Sequence, residues 1–130
     1  MLDKLSIEQI SGIMDALPIE VMFADADDRI RFRNKKDTRL MQYADDILGQ
    51  DIRSCHQPES LSRVEQMLTN LKSGAKDEEE FWVALLGDRV LNRFIAIRDK
   101  SGKYMGVLEY LMNFDAIEQI AESKKDAYRR

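Results

Sequence analysis

Residues 79–113, EEFWVALLGDRVLNRFIAIRDKSGKYMGVLEYLMN, contain three runs rich in β-branched and aromatic side chains, divided by Gly87-Asp88 and by Asp99-Lys100-Ser101-Gly102. Runs of this kind read as strands, and short polar breaks containing glycine read as turns. Strands are therefore predicted over 79–86, 89–98 and 104–113. Connections this short leave no room for a crossover, so the three strands must be antiparallel neighbours.

Working outward, residues 19–24 form a short apolar run and residues 29–33, RIRFR, alternate strictly around the polar turn Asp25-Ala26-Asp27-Asp28. This predicts a second hairpin with Ile30 and Phe32 facing inward. Its three arginines are assigned to the solvated face rather than to a phosphate site. Helical periodicity flanks both hairpins. Ser6-Ile7-Glu8-Gln9 fits a capping box ahead of Ile7, Ile10, Ile13, Met14 and Leu17, and Pro18 stops that pattern. Residues 35–50 read as helical, with an imperfect stripe of Leu40, Met41, Tyr43 and Ala44. A cleaner helix starts at Pro58 and carries Leu61, Val64, Met67, Leu68 and Leu71 up to a glycine cap at Gly74. Asp115-Ala116-Ile117-Glu118 repeats the capping-box pattern before a narrow stripe of Ile117, Ile120 and Ala121. The class is α+β, in three parts: an N-terminal amphipathic helix over 1–17, a core over 18–114 and a C-terminal helix over 115–130.

The 130 residues fit one domain able to bury its own core. Charged residues make up 34% of the chain, but both signs are interspersed and the net charge is −4. That gives no electrostatic footprint for nucleic acid or an anionic membrane. A single cysteine cannot form an internal disulfide, and the N-terminus shows neither a basic leader nor an apolar core of signal length. A cytoplasmic protein is the expectation.

The one cysteine, Cys55, stands beside the one histidine, His56, in RSCHQPES at 53–60. Adjacent side chains point apart, which disfavours a nucleophile–base pair, and no separate acid is marked out by spacing. No catalytic residue is assigned, and the chain is expected not to be an enzyme. A zinc site needs three or four ligands, whereas Cys55, His56 and Glu59 are the only local ones. The plain alternative is a polar helix entrance, with Gln57 as cap, Pro58 as first helical residue and the thiol filling a gap. A thiol near helix N-terminal amides also raises redox modification as a secondary hypothesis.

The order of elements, together with LPIEVMFADADDRIRFRN, ILGQDIRSCHQPES and FIAIRDKSGKYMGVLEYLMNF, resembles the PAS domain over roughly residues 17–115. Within that family the likeness is closest to a bacterial subgroup with a glycine, five residues and C-H-P-P, followed by a helix ending K-S-G-x-x-D, often fused to hemerythrin-like domains. Gly49, Cys55, His56, Pro58, Lys72, Ser73, Gly74 and Asp77 match, and Gln57 departs from the pattern. The resemblance implies a five-stranded antiparallel sheet with short helices over one face and flanking helices. It also implies a small molecule or cofactor bound between sheet and helices, and a homodimer. Some members bind haem through a histidine on the helix before the long hairpin, so His56 is a candidate metal ligand if haem binds. Flavin photochemistry fits poorly: aligned on Gly49, the adduct-forming cysteine position falls near Ile52, and the polar amide positions fall near Ala84, Val90 and Leu111.

Placed on that fold, the expected pocket takes Met105, Val107, Glu109 and Leu111 from the last strand, Val90, Asn92, Phe94 and Ala96 from its neighbour, and Trp82 and Ala84 from the first of the three. Candidate ligand-binding residues are accordingly His56, Cys55, Trp82, Asn92, Phe94, Glu109 and Leu111. On the opposite phase Glu109 would simply face water. Leu108, Tyr110 and Met112 make the other sheet face too apolar to stay bare, so it is covered by the first helix or by a second subunit. The expected function is sensing, through a small molecule bound in the pocket. The alternative is a ligand-free dimerisation or scaffolding module, whose interior would be filled by Trp82, Phe94 and the methionines. The sequence names neither the ligand nor a downstream partner.

Overall fold

The computed structural model describes residues 1–35 and 47–127, so the helix expected over 35–50 lies mostly outside the described residues. Among the described residues, five strands form one antiparallel sheet: β1 (Glu20–Asp25), β2 (Ile30–Arg33), β3 (Glu78–Leu85), β4 (Asp88–Arg98) and β5 (Tyr104–Asn113). Their order across the sheet is β2-β1-β5-β4-β3, which puts the last strand at the centre, between the two hairpins. Three α-helices accompany them: α1 (Ile7–Ala16), α2 (Leu61–Ser73) and α3 (Phe114–Ser123).

The core lies between the sheet and α2. Val64, Met67, Leu68 and Leu71 follow one another at helical spacing and are all buried. They meet Met22, Ala24, Ile30, Phe94 and Val107 from the sheet and Ile47 and Ile52 from the preceding segment. A single 3₁₀ turn at Pro58–Ser60 leads into α2, and Gly74 ends it in the left-handed conformation at φ 81°. Gln57 contributes no side-chain cap there.

The two expected capping boxes differ in outcome. At α1 the box is complete, with Ser6 Oγ accepting from Gln9 N at 3.0 Å and Gln9 Oε1 accepting from Ser6 N at 2.9 Å. At α3 the cap lies earlier, where Asn113 Oδ1 accepts from Ala116 N at 2.9 Å. Asp115 instead takes the Arg89 guanidinium, 2.6 Å from Nη2 to Oδ1. A bidentate cation from β4 competes successfully with a local cap.

Two register shifts move side chains away from the expected phase. Phe23 pairs with Phe32 and Ala24 with Ile30, so one residue of β2 is bulged. Ile30 faces the core, while Phe32 turns to the opposite face with Phe23, because a bulge breaks the period-two alternation. On the central hairpin, Ile97 pairs with Gly106 but Arg98 pairs with Tyr104. Met105 is the bulged residue and is exposed, and Tyr104 packs against the core in its place. Gly106 is needed where β1 crosses closely: a Cβ there would lie 2.2 Å from the Ala24 carbonyl oxygen.

Candidate functional site

The chain between β2 and α2 is anchored by an ion-pair hub that holds the cleft's entrance in place. Asp51 accepts from Arg53 N at 2.9 Å and caps the 3₁₀ turn Ile52–Cys55. The Arg53 guanidinium reaches Asp28 Oδ2 at 2.9 Å, Asp51 Oδ1 at 3.1 Å and the Glu65 carboxylate on α2. Lys72 Nζ, at the other end of α2, reaches the same Asp28 oxygen at 2.7 Å. Asp28 is buried and takes the left-handed conformation, φ 65°, that asparagine and aspartate adopt most readily among side-chain residues. It ties the first hairpin directly to the last turn of α2 and, through Arg53, to Glu65 nearer the start of that helix. Sequence reading passed over Arg53 and Asp28 because their partners are far away in the chain.

The hub fixes His56. Arg53 O accepts from His56 N at 3.2 Å, and the ring's Nδ1 lies 3.0 Å from the Ile52 carbonyl oxygen. A carbonyl can only accept, so Nδ1 carries the proton. Burial disfavours the imidazolium and lowers the His56 pKa from its ordinary value, against a smaller opposing effect of the Ile52 hydrogen bond. The ring is therefore neutral near pH 7, and Nε2, on its opposite edge, keeps a lone pair.

Two adjoining hollows open between the inner sheet face and the entrance of α2. The first, of about 140 Å³, is walled by Val64, Met67, Phe81 and Phe94, with Ser60 and Arg63 at its margin. The second, of about 210 Å³, is bounded by Cys55, Ala84, Leu85, Glu109 and Leu111. His56, Val83 and Asn92 line both. Phe81 stands edge-on to Phe94 with ring centroids 5.8 Å apart, and the Arg63 guanidinium lies 4.5 Å above the Phe81 ring. Phe94, Glu109 and Leu111 are buried. The structure thus brings together six of the seven expected residues: Cys55, His56, Asn92, Phe94, Glu109 and Leu111.

Trp82 is the exception. It is 53% exposed on the opposite face and packs edge-on against Phe114 of α3, centroids 5.5 Å apart. The β3–β4 register accounts for this. Val83 pairs with Val90 and Phe81 with Asn92 across the two-residue turn Leu86-Gly87, where both residues have positive φ. A two-residue hairpin pairs even with odd positions, so an inward set of Val90, Asn92 and Phe94 puts the odd-numbered residues of β3, among them Phe81, Val83 and Leu85, on the inner face. That parity was available in the sequence and would have found the three missed residues.

The arrangement limits the chemistry. Burial, reinforced by the negative charges of Glu109 and Asp51, pushes the Cys55 thiol up to about 11. It is a protonated thiol at neutral pH, the opposite of an activated nucleophile or redox-sensing thiolate. Among the described residues no group of three or more His, Cys, Asp or Glu side chains is placed to hold a metal ion. His56 has the donor for one axial bond, but neither hollow alone reaches the roughly 300–1,000 Å³ of pockets for drug-sized molecules, so as they stand the two hollows do not fit haem unless they merge and the Phe81 and Phe94 walls move.

A family model described as PAS domain matches residues 10–115. The fold is also similar to solved structures. The C-terminal domain of a protein from Streptococcus mutans is 28% identical at TM-score 0.79, covering 89% of this chain and 90% of that one. The PAS domain of a protein from Colwellia psychrerythraea is 14% identical at TM-score 0.64, with 83% and 96% covered. The PAS domain of BvgS from Bordetella pertussis is 19% identical at TM-score 0.61, with 92% and 97% covered. No curated protein matches the chain.

Proposed function

Because the chain belongs to the PAS domain family, we propose that it is a cytoplasmic sensory module that holds a small molecule in the paired hollows beside His56 and passes their occupancy to its flanking helices. The observation that carries this reading is the cleft itself. A ligand-free scaffold would have its interior filled by its large side chains, yet Trp82 lies on the outer face and two hollows meet at His56 and Asn92. No described helix is long and apolar enough to cross a membrane, which suits a cytoplasmic setting.

The route outward runs through β3 and β4, whose inner residues line the cleft and whose outer residues hold α3. Arg89 of β4 binds both Asp115 and Glu118 of α3, each at 2.6 Å, and Trp82 of β3 packs on Phe114. A ligand that favours one packing of these strands shifts α3 to the extent that its affinity differs between the two packings. Homodimerisation is part of the proposal, because α1 leaves Ile7 85% and Ile13 51% exposed and α3 leaves Ile120 62% exposed, an apolar surface that suits a second copy. Gly49, Lys72 and Gly74, three of the subgroup motif residues, hold this cleft's frame through turns and the Asp28 ion pair, which supports kinship with the subgroup often joined to hemerythrin-like domains.

Native mass spectrometry of the freshly purified protein, followed by thermal unfolding against a metabolite library, tests the reading. A co-purifying small molecule, or a compound that raises the unfolding temperature, is expected. A protein that carries nothing and responds to nothing would return the chain to the scaffold reading.

A further inference from the structure

Donors and acceptors both face the hollows: Ser60, Arg63 and Cys55 bring donors, and Asn92, His56 and Glu109 bring acceptors. Asn92 Oδ1 is sealed from solvent and has no hydrogen-bond partner among the described residues. Asn92 lines both hollows, and the broad terminal torsion of an asparagine lets that oxygen turn toward either. His56 spends its proton on the Ile52 carbonyl, so the Nε2 edge of a ring that also lines both hollows can only accept. Glu109 brings a carboxylate to the second hollow. The remaining walls are Val83, Leu85, Leu111 and the faces and edges of Phe81 and Phe94. Among the described lining residues the one cation is Arg63, over the Phe81 ring.

We infer that the cleft is a receptor site for a flat nitrogen heterocycle of one or two rings, neutral or cationic, whose N–H groups donate to His56 Nε2 and Asn92 Oδ1 while its ring faces lie against Phe81 and Phe94. This rests on the ligand-binding reading above and specifies its chemistry. A buried acceptor left without a donor is costly, so a ligand carrying the right donors gains over one that merely fills the space. Aromatic walls select flat rings, which stack offset or edge-on. An anion placed in the second hollow would meet the His56 lone pair and the Glu109 side chain, and the described lining of that hollow carries no cation. Size sets the upper bound, since 140 and 210 Å³ leave room for one or two rings and little more.

The test uses the full chain and three probes sharing one bicyclic skeleton: 2-aminobenzimidazole, which has N–H donors; 1-methylbenzimidazole, which has none; and benzimidazole-2-carboxylate, which is an anion. Binding is followed by titration calorimetry and by the ¹⁵N resonances of the chain's single histidine ring. The expected result is at least tenfold tighter binding of 2-aminobenzimidazole than of either other probe, with the Nε2 signal moving from the free lone-pair position as it accepts a hydrogen bond. Asn92→Leu, which keeps the volume, should reduce that preference at least fivefold while leaving the variant folded by circular dichroism. Equal or tighter binding of the methylated or anionic probe overturns this inference and leaves the ligand-binding reading standing. No binding by any of the three overturns the inference, and a silent metabolite library alongside it overturns both. The wild-type histidine spectrum decides the matter even if Asn92→Leu fails to fold.

Discussion

Helices α1 and α2 are both amphipathic and of similar length, yet α2 buries four apolar side chains and α1 buries none. Their attachments differ in kind. α2 lies across the sheet through Val64, Met67, Leu68 and Leu71, with Lys72 and Glu65 adding the Asp28–Arg53 hub. α1 hangs from a polar clasp: Asn34, almost fully buried, donates from Nδ2 to Met14 O at 2.7 Å and Ile19 O at 3.1 Å and accepts from Val21 N at 2.7 Å. An apolar stripe states that a helix must be covered and leaves open by what. Here one stripe is covered within the chain, and the other stays exposed among the described residues.

Leu71→Ala should break the better-packed side of this comparison and have the largest effect. Leu71 is fully buried, so the substitution should cost about 2–5 kcal/mol, read from the midpoint of urea denaturation. Asn34→Ala should act on the other helix and cost less, about 1–3 kcal/mol, since it strands the buried Val21 amide. Hydrogen exchange should show the loss concentrated in α1; equal deprotection of α2 would contradict a local clasp.

Acidification probes the entrance of α2. The folded-state pKa of His56 is lowered by burial, so the unfolded chain binds the proton more readily. Its contribution to stability is complete above the ordinary histidine value of 6.5 and falls as the pH drops below it, until the depressed folded pKa is passed. Thermal unfolding followed from pH 7.5 to 5 should show this decline, and His56→Phe should flatten it. The smallest effect on folding is expected from Ile13→Ser on the exposed face of α1, within about 0.5 kcal/mol for an unpacked surface position. The same substitution should weaken self-association measured by light scattering, and an unchanged dimer would move the interface away from α1.

Local signals carried much of this molecule. Three strands were readable from β-branched runs and short breaks, and α2 from the spacing of Val64, Met67, Leu68 and Leu71 between Pro58 and Gly74. Alternation left β5 two phases, and the structure takes the one that buries Val107, Glu109 and Leu111. What escaped depended on events at a distance. Phe32 and Met105 were displaced by bulges, whose single extra residue leaves no mark in hydropathy. Trp82 is a different case, because the even–odd parity of a two-residue hairpin already turns it outward once Val90, Asn92 and Phe94 face in. The importance of Arg53 was hidden by the Cys-His pair beside it, which drew attention as chemistry while the arginine supplied the frame.

The sequence by itself determined the element types, their order and the antiparallel hairpins, because capping, periodicity and turn chemistry act over a few residues. It also determined which residues were eligible to line a cleft. Tertiary structure alone decided that His56 and Asn92 meet in one cavity, that Asp28 gathers Arg53 and Lys72 from positions 25 and 44 residues away, and that α1 is left uncovered. These depend on strand register and on competition between distant partners for the same charge or surface, which a linear pattern does not encode.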